Sequence, residues 1–348
     1  MVIVWSRSSS SLKQLPKAQK RFSYRCSGTL QRTLFVLVVA MAASSYAVAQ
    51  MGMDEVHVLP RTDQAIQGPA QQALRVNVDL VLVNVTVLDR EDRTVTGLRS
   101  SNFAVVDDKS PQVIRYLSNE DEPISLVVVL DVSASMAVNI QEERKAFAEL
   151  IDGSNPQDDF GMIVVNDKAR VGLRFDDSAS EIRRAVAALQ PDGSTALWDG
   201  LYLGIEELKK SHHQRKAMVV ISDGGDNHSR HRESELKSLL KEADVEVYAV
   251  SMFNRNATRL EERKGPLQLD EVTSVTGGRV FSVQGSVELS RAVTQLNREL
   301  RNQYVLGYYP SNRSRDGKWR RLKIRVTGPE SQAKVRLYTK KGYYAPAE

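Results

Sequence analysis

Ile124-Ser125-Leu126-Val127-Val128-Val129-Leu130-Asp131-Val132-Ser133-Ala134-Ser135 is the stretch that decides the fold. Its apolar run is short, β-branched and free of polar alternation, as expected of a strand covered on both faces. Such a strand needs helices above and below it, which implies a mostly parallel sheet and an α/β order of elements. The sequence after Pro123 supplies that order. Strands are expected at 124–130, 160–166, 171–174, 217–222, 245–251 and 279–282, and helices at 140–151, 178–188, 197–210, 233–242, 269–276 and 286–303. Ile182, Ala185, Val186 and Leu189 fall at i, i+3, i+4 and i+7, one helical face. Ser178 and Ser286 are the expected N-caps, and Gly277-Gly278 is a helix stop.

The flanks have a different pattern. From Leu74 apolar residues alternate in one phase (Val76, Val78, Leu80, Leu82) and then in the other (Val81, Val83, Val85, Val87), and short strands are expected at 94–95, 103–106 and 112–116. Asp107–Ser110 reads as a tight turn. After Tyr304 strands return: Leu322, Ile324 and Val326 alternate with Arg321, Lys323 and Arg325, with turns at Asp316-Gly317 and Gly328-Pro329. Neither flank is large enough for its own core. The expected organisation is a β-sandwich built from residues 74–122 and 304–348, with the α/β domain of residues 123–303 inserted between its halves.

Charge locates the chain. Residues 1–49 hold seven of the 48 basic side chains and none of the 43 acidic ones, so the remainder carries a net charge of −2 and gives no reason to expect a nucleic-acid partner. The apolar run Leu34–Ala43 is followed by Ala47-Val48-Ala49, a signal-peptidase type of site, which predicts a signal peptide over 1–49, a flexible leader over 50–73 and export to the periplasm, the cell envelope or the medium. The alternative is an uncleaved N-terminal anchor, the one expected link to a membrane. Cys26, the only cysteine, precedes the apolar run, so the exported part would have neither disulfides nor thiol chemistry.

The chemistry gathers at strand ends. In open α/β sheets ligands bind beyond the carboxyl ends of the strands, and Asp131 and Asp223 each follow an apolar strand. Asp131, Ser133 and Ser135, at i, i+2 and i+4, turn three oxygens toward one centre, and Thr195 in Gly193-Ser194-Thr195-Ala196-Leu197 offers another. Such an all-oxygen set suits a hard cation, Mg²⁺ first and Mn²⁺ or Ca²⁺ as alternatives. The competing reading is that the two aspartates cap helices and the serines satisfy loop amides.

Residues 124–303 resemble a von Willebrand factor A domain with its metal-ion-dependent adhesion site. Asp131, Ser133 and Ser135 match its D-x-S-x-S, Thr195 its separate threonine, and Asp223 its second aspartate; Ala134 departs from the glycine of many members. With the flanking strands and the tail to Gly342-Tyr343-Tyr344, residues 75–345 look like the exported A-domain-related proteins common in Acidobacteria. The resemblance implies a Rossmann-like doubly wound sheet. It also implies a cation held by Ser133, Ser135 and either Thr195 or Asp223, with Asp131 direct or through water, and an open position filled by an Asp or Glu carboxylate of a partner protein. The function it implies is adhesion or assembly; the alternative is a structural scaffold of an envelope complex in which the cation only stabilises the loops.

The residues argue against catalysis. Phosphotransfer on a strand-terminal aspartate needs a second carboxylate where Ser133 stands, and a serine hydrolase needs a Gly-x-Ser-x-Gly elbow and a histidine base. No Gly-Lys-Ser/Thr phosphate loop occurs. His228 and His231 read as solvated loop residues, with a second metal or a pH-sensitive rim as the alternative, His212-His213 as helix-end charges, and the basic residues from Arg320 to Lys341 as a solvated strand face, with contact to anionic envelope polymers or lipids as the alternative.

Overall fold

The structure, a computed structural model, describes residues 80–252, 260–328 and 334–347. The signal, the leader and the N-terminal end of the alternating segment lie outside the described residues. In chain order the strands before the α/β region are β1 (Val81–Leu88), β2 (Phe103–Asp107), β3 (Ser110–Gln112) and β4 (Ile114–Ser118). The α/β region comprises β5 (Ile124–Asp131), α1 (Ile140–Asp152), β6 (Asp159–Val165), β7 (Ala169–Leu173), α2 (Ala179–Ala187), α3 (Leu197–Leu208), β8 (Arg215–Ser222), α4 (Glu233–Ala243), β9 (Glu246–Met252), α5 (Leu260–Thr276), β10 (Val280–Val283) and α6 (Gly285–Arg301). The chain returns to strands with β11 (Tyr304–Tyr308), β12 (Trp319–Val326), β13 (Arg336–Tyr338) and β14 (Gly342–Tyr344).

The central sheet runs β10-β9-β8-β5-β6-β7, parallel except for the antiparallel edge strand β7. Every residue of β5 is buried, and successive side chains enter opposite cores. Leu126, Val128 and Leu130 pack with Phe147 of α1 and Leu289, Val293 and Leu296 of α6. Val127 and Val129 pack with Leu201 and Ile205 of α3, Leu236 of α4 and Val272 of α5. This two-sided burial is why the strand shows no polar alternation. Helix α3 lies tight on the sheet through Gly200 and Gly204, whose added Cβ atoms would fall 2.4 Å from Val165 and 2.7 Å from Met218.

The remaining strands form two four-stranded antiparallel sheets, β13-β1-β11-β4 and β14-β12-β2-β3, each combining strands from before and after the α/β region. One core joins them: Val83 and Val85 of β1, Phe103 and Val105 of β2, Leu306 and Tyr308 of β11, and Leu322 and Ile324 of β12. The Tyr304 hydroxyl accepts from the Leu98 amide and donates to the Val95 carbonyl, both at 3.0 Å. Tyr308 and Tyr343 both donate to Asp107 Oδ2, at 3.0 and 2.8 Å.

Four local expectations are corrected. The strand expected at 112–116 is two strands in different sheets, β3 and β4, separated by the exposed Val113. Residues 94–95 make only an isolated bridge, Leu88 to Thr94. Helix α5 begins at Leu260 rather than 269 and carries Pro266 inside it. Helix α6 is capped at Gln284, whose N–H donates to Glu288 at 2.7 Å, so Ser286 lies within the helix.

Candidate metal centre

Strand β5 pairs in parallel with β8 on one side and β6 on the other, so Asp131 and Asp223 leave the same end of neighbouring strands. Asp131 has no exposed surface; its Oδ1 accepts from the Ser133 amide at 3.0 Å and its Oδ2 from the Ser222 hydroxyl at 2.6 Å. Ser133 is buried and Ser135 half-buried, their hydroxyl oxygens 3.1 Å apart. The Ala134 amide donates to Gly193 O (3.0 Å) and the Asp192 amide to Val132 O (2.9 Å), which draws the segment bearing the buried Thr195 against the D-x-S-x-S loop.

The loop after β8 closes the third side. Asn227 Oδ1 accepts from the Thr195 amide (2.9 Å), and the Asn227 and His228 amides donate to the Thr195 carbonyl, each at 3.0 Å. Asp226 Oδ1 takes the free amides of Leu197 and Trp198 at the start of α3, at 2.8 and 3.3 Å. In return Asp199 of α3 accepts from the Arg230 and His231 amides, both at 3.1 Å, and meets the His231 Nδ1 at 2.8 Å, while the His231 ring stacks on Tyr202 at 3.8 Å. Behind Asp223 the backbones of Gly224 and Gly265 touch: a Cβ on Gly265 would lie 2.5 Å from the Gly224 carbonyl carbon.

The electrostatics are those of uncompensated negative charge. Burial, and then the neighbouring Asp223 carboxylate, push the Asp131 carboxyl up to about 6, against hydrogen bonds from Ser222 and Ser133 that pull it down. Burial and then Asp131 push Glu143, in the first turn of α1, well above the usual range, and neither of its carboxylate oxygens has a hydrogen-bond partner. Among the described residues no Lys, Arg or His forms an ion pair with Asp131, Asp223 or Glu143. Two carboxylates, three hydroxyls and no basic partner are a donor set that fits a hard divalent cation. Among the described residues no group of three or more His, Cys, Asp and Glu is placed to hold a metal, so any site here depends on hydroxyls.

All five sequence-selected residues therefore stand at one rim, Asp131, Ser133 and Ser135 in one loop and Thr195 and Asp223 in the loops fastened to it. The sequence reading missed Ser222, Glu143, Asn227, Gly265 and the helix-capping role of Asp226. Only Asp226 carried a signal, an acidic residue close before a hydroxyl residue in a loop; the rest depend on contacts far apart in the chain. His231 is tied to Asp199 rather than solvated alone, and His212-His213 lie past the end of α3, bonded to Asp159 and the Gln157 carbonyl at 2.9 Å each.

Residues 125–295 match the model of the von Willebrand factor type A domain. Domains of this family are generally modules of protein interaction and metal-dependent adhesion rather than enzymes. Over 108 residues the chain is 29% identical to an uncharacterized protein of Synechocystis sp., a match that takes 30% of this chain and spans about a quarter (26%) of that relative. Similar solved structures include a von Willebrand factor type A protein from Catenulispora acidiphila (13% identity, 78% of this chain and 73% of that one, TM-score 0.44). An aerotolerance-related membrane protein from Bacteroides fragilis is 18% identical over 51% of this chain and 98% of its own, with a TM-score of 0.42. Proximal thread matrix protein 1 of the mussel byssus, solved with a zinc-occupied MIDAS motif, is 18% identical over 56% of this chain and 49% of its own, with a TM-score of 0.43. Among the described residues no helix is long and apolar enough to cross a membrane.

Proposed function

We propose that the chain is an exported binding module in which Asp131, Ser133, Ser135, Thr195 and Asp223 hold one divalent cation, Mg²⁺ first, and the cation captures an Asp or Glu carboxylate of a partner protein. In this reading the A domain of residues 123–303 is displayed by the β-sandwich of residues 74–122 and 304–348. The observation that carries it is the pairing of buried Asp131 with Asp223 beside three hydroxyls and no basic side chain. Hydroxyl ligands leave a bound ion electron-poor, so an incoming carboxylate gains a strong interaction.

The scaffold alternative gives the cation the task of ordering the loops. Asp226, Asn227 and Asp199 already fasten the Thr195 segment, α3 and the loop after β8 through direct hydrogen bonds, which leaves the cation free for a ligand. Acetate is a minimal carboxylate probe. With Mn²⁺ bound to the chain, the acetate proton resonance should broaden in NMR, and Thr195→Ala should remove the broadening. Mn²⁺ bound with acetate unaffected would favour the scaffold.

A further inference from the structure

The sheet β14-β12-β2-β3 has one face in the shared core and one turned outward. On β12 the inward residues Arg320, Leu322 and Ile324 are buried, whereas Arg321, Lys323 and Arg325 are exposed. The ladder places Lys323 opposite Val106, Arg325 opposite Ala104 and Arg321 opposite Gly342. On the far side of β2, Val106 faces Pro111. The positions facing Lys323 and Arg325 hold no acidic residue, the one acidic neighbour of the row is Asp108 beside Arg321, and no ion pair among the described residues engages Arg321, Lys323 or Arg325. Asp108, in the turn between β2 and β3, accepts from the Arg321 amide at 2.9 Å and pairs with Arg320 at 3.8 Å.

Alternate residues of a strand stand about 7 Å apart, so the three cations form a straight row. The row continues past Trp319, which meets Tyr344 edge-on at 5.0 Å, to Lys241 of α4, whose Nζ lies 5.5 Å from the centre of the Trp319 ring. This asymmetry is local, because the chain after residue 49 has two more acidic than basic side chains.

From this geometry we infer a second binding surface, independent of the metal centre, that takes a linear acidic polysaccharide along β12. A row rather than a broad patch matches a polymer bearing one charge per unit more closely than a lipid surface. Beside the cations lie Ala104, Val106 and Pro111, small apolar groups that accept the C–H faces of sugar rings. They offer no aromatic platforms for nucleic-acid bases. The two aromatics at the end of the row pack against each other and under Lys241.

The test is retention of the full chain on immobilised alginate, a polyuronate, over a salt gradient, with neutral dextran as the control. The comparison variant carries Arg321→Thr, Lys323→Thr and Arg325→Thr, which keep strand propensity and remove only exposed charge; circular dichroism verifies its fold. The parent should be retained at low salt and released by salt, with a change in Trp319 fluorescence, and the variant should bind roughly tenfold more weakly or worse. Equal retention of parent and variant would overturn the inference. So would a parent that passes the alginate column while binding single-stranded DNA or phosphatidylglycerol vesicles. The column is run in EDTA, which leaves no cation at the metal centre to take uronate carboxylates; retention of the parent should persist there, so failure of the metal centre and failure of this surface are distinguishable.

Discussion

Asp131 lies beside a second carboxylate with no exposed surface, so without a cation its ionisation opposes folding. Its folded pKa of about 6 exceeds the ordinary 3.8, so the folded chain binds this proton more tightly than the unfolded chain. The stability this group contributes is complete below 3.8 and is lost as pH rises toward 6, an effect of up to roughly 3 kcal/mol. Metal-stripped Asp131→Asn should therefore be more stable than the parent in urea unfolding near neutral pH, with the gap closing in acid; a constant gap across pH would contradict the assignment. Ser222 orients the same carboxylate through its 2.6 Å hydrogen bond and accepts from the Gly224 amide at 2.9 Å, so Ser222→Ala should weaken cation binding about 10–100-fold and destabilise the stripped chain by about 1–3 kcal/mol. The difference between these two residues shows what the sequence revealed. Asp131 announces itself as the polar end of an apolar strand, whereas Ser222 reads as the last residue of its strand until the ladder sets it beside Asp131.

At the scale of elements, the loop after β8 and helix α3 act as one clasp around Thr195. Asp226→Ala leaves the Leu197 and Trp198 amides without their acceptor and should cost about 0.5–2 kcal/mol in thermal unfolding, together with a loss of cation affinity as Thr195 loosens. Loss of stability with full affinity would separate the clasp from the site. Helix α5 is anchored to the same loop by the contact of Gly265 with Gly224. Gly265→Ala should force the helix away from Asp223 and cost about 1–3 kcal/mol, with weaker cation binding by calorimetry. The first turns of this helix were not legible in the sequence because Gly265-Pro266 has the composition of a break. The glycine is there for backbone contact with Gly224, and the proline is tolerated inside the helix. Ser178 was legible as a cap because its partner Glu181 stands three residues on, and the two form a capping box. Ser286 looked equivalent, but Glu288 reaches back to Gln284 and moves the helix start.

For the whole molecule, the alternation of strands and helices and the unbroken apolar strands made the α/β class legible from sequence alone. The assignment of short flanking strands to two sheets was less so, since partners such as Val83 and Leu306 are more than two hundred residues apart and periodicity carries no information about pairing. Strand β11 sits between β1 and β4, and β12 between β14 and β2, so removing residues 304–348 strips pairing from both sheets. In hydrogen exchange that truncation should leave residues 80–122 unprotected while the strands of the A domain keep their protection; retained protection in β1 and β2 would show that the N-terminal strands fold without their C-terminal partners. The central claim, that five residues from three loops form one cation site, is tested most directly by calorimetric titration of Mg²⁺, Mn²⁺ and Zn²⁺ into the metal-stripped full chain and its Asp131→Ala and Thr195→Ala variants. Saturable binding by the parent, weakened at least about tenfold in both folded variants, is the predicted result. Equal binding by all three proteins, or none by a folded parent, would contradict it.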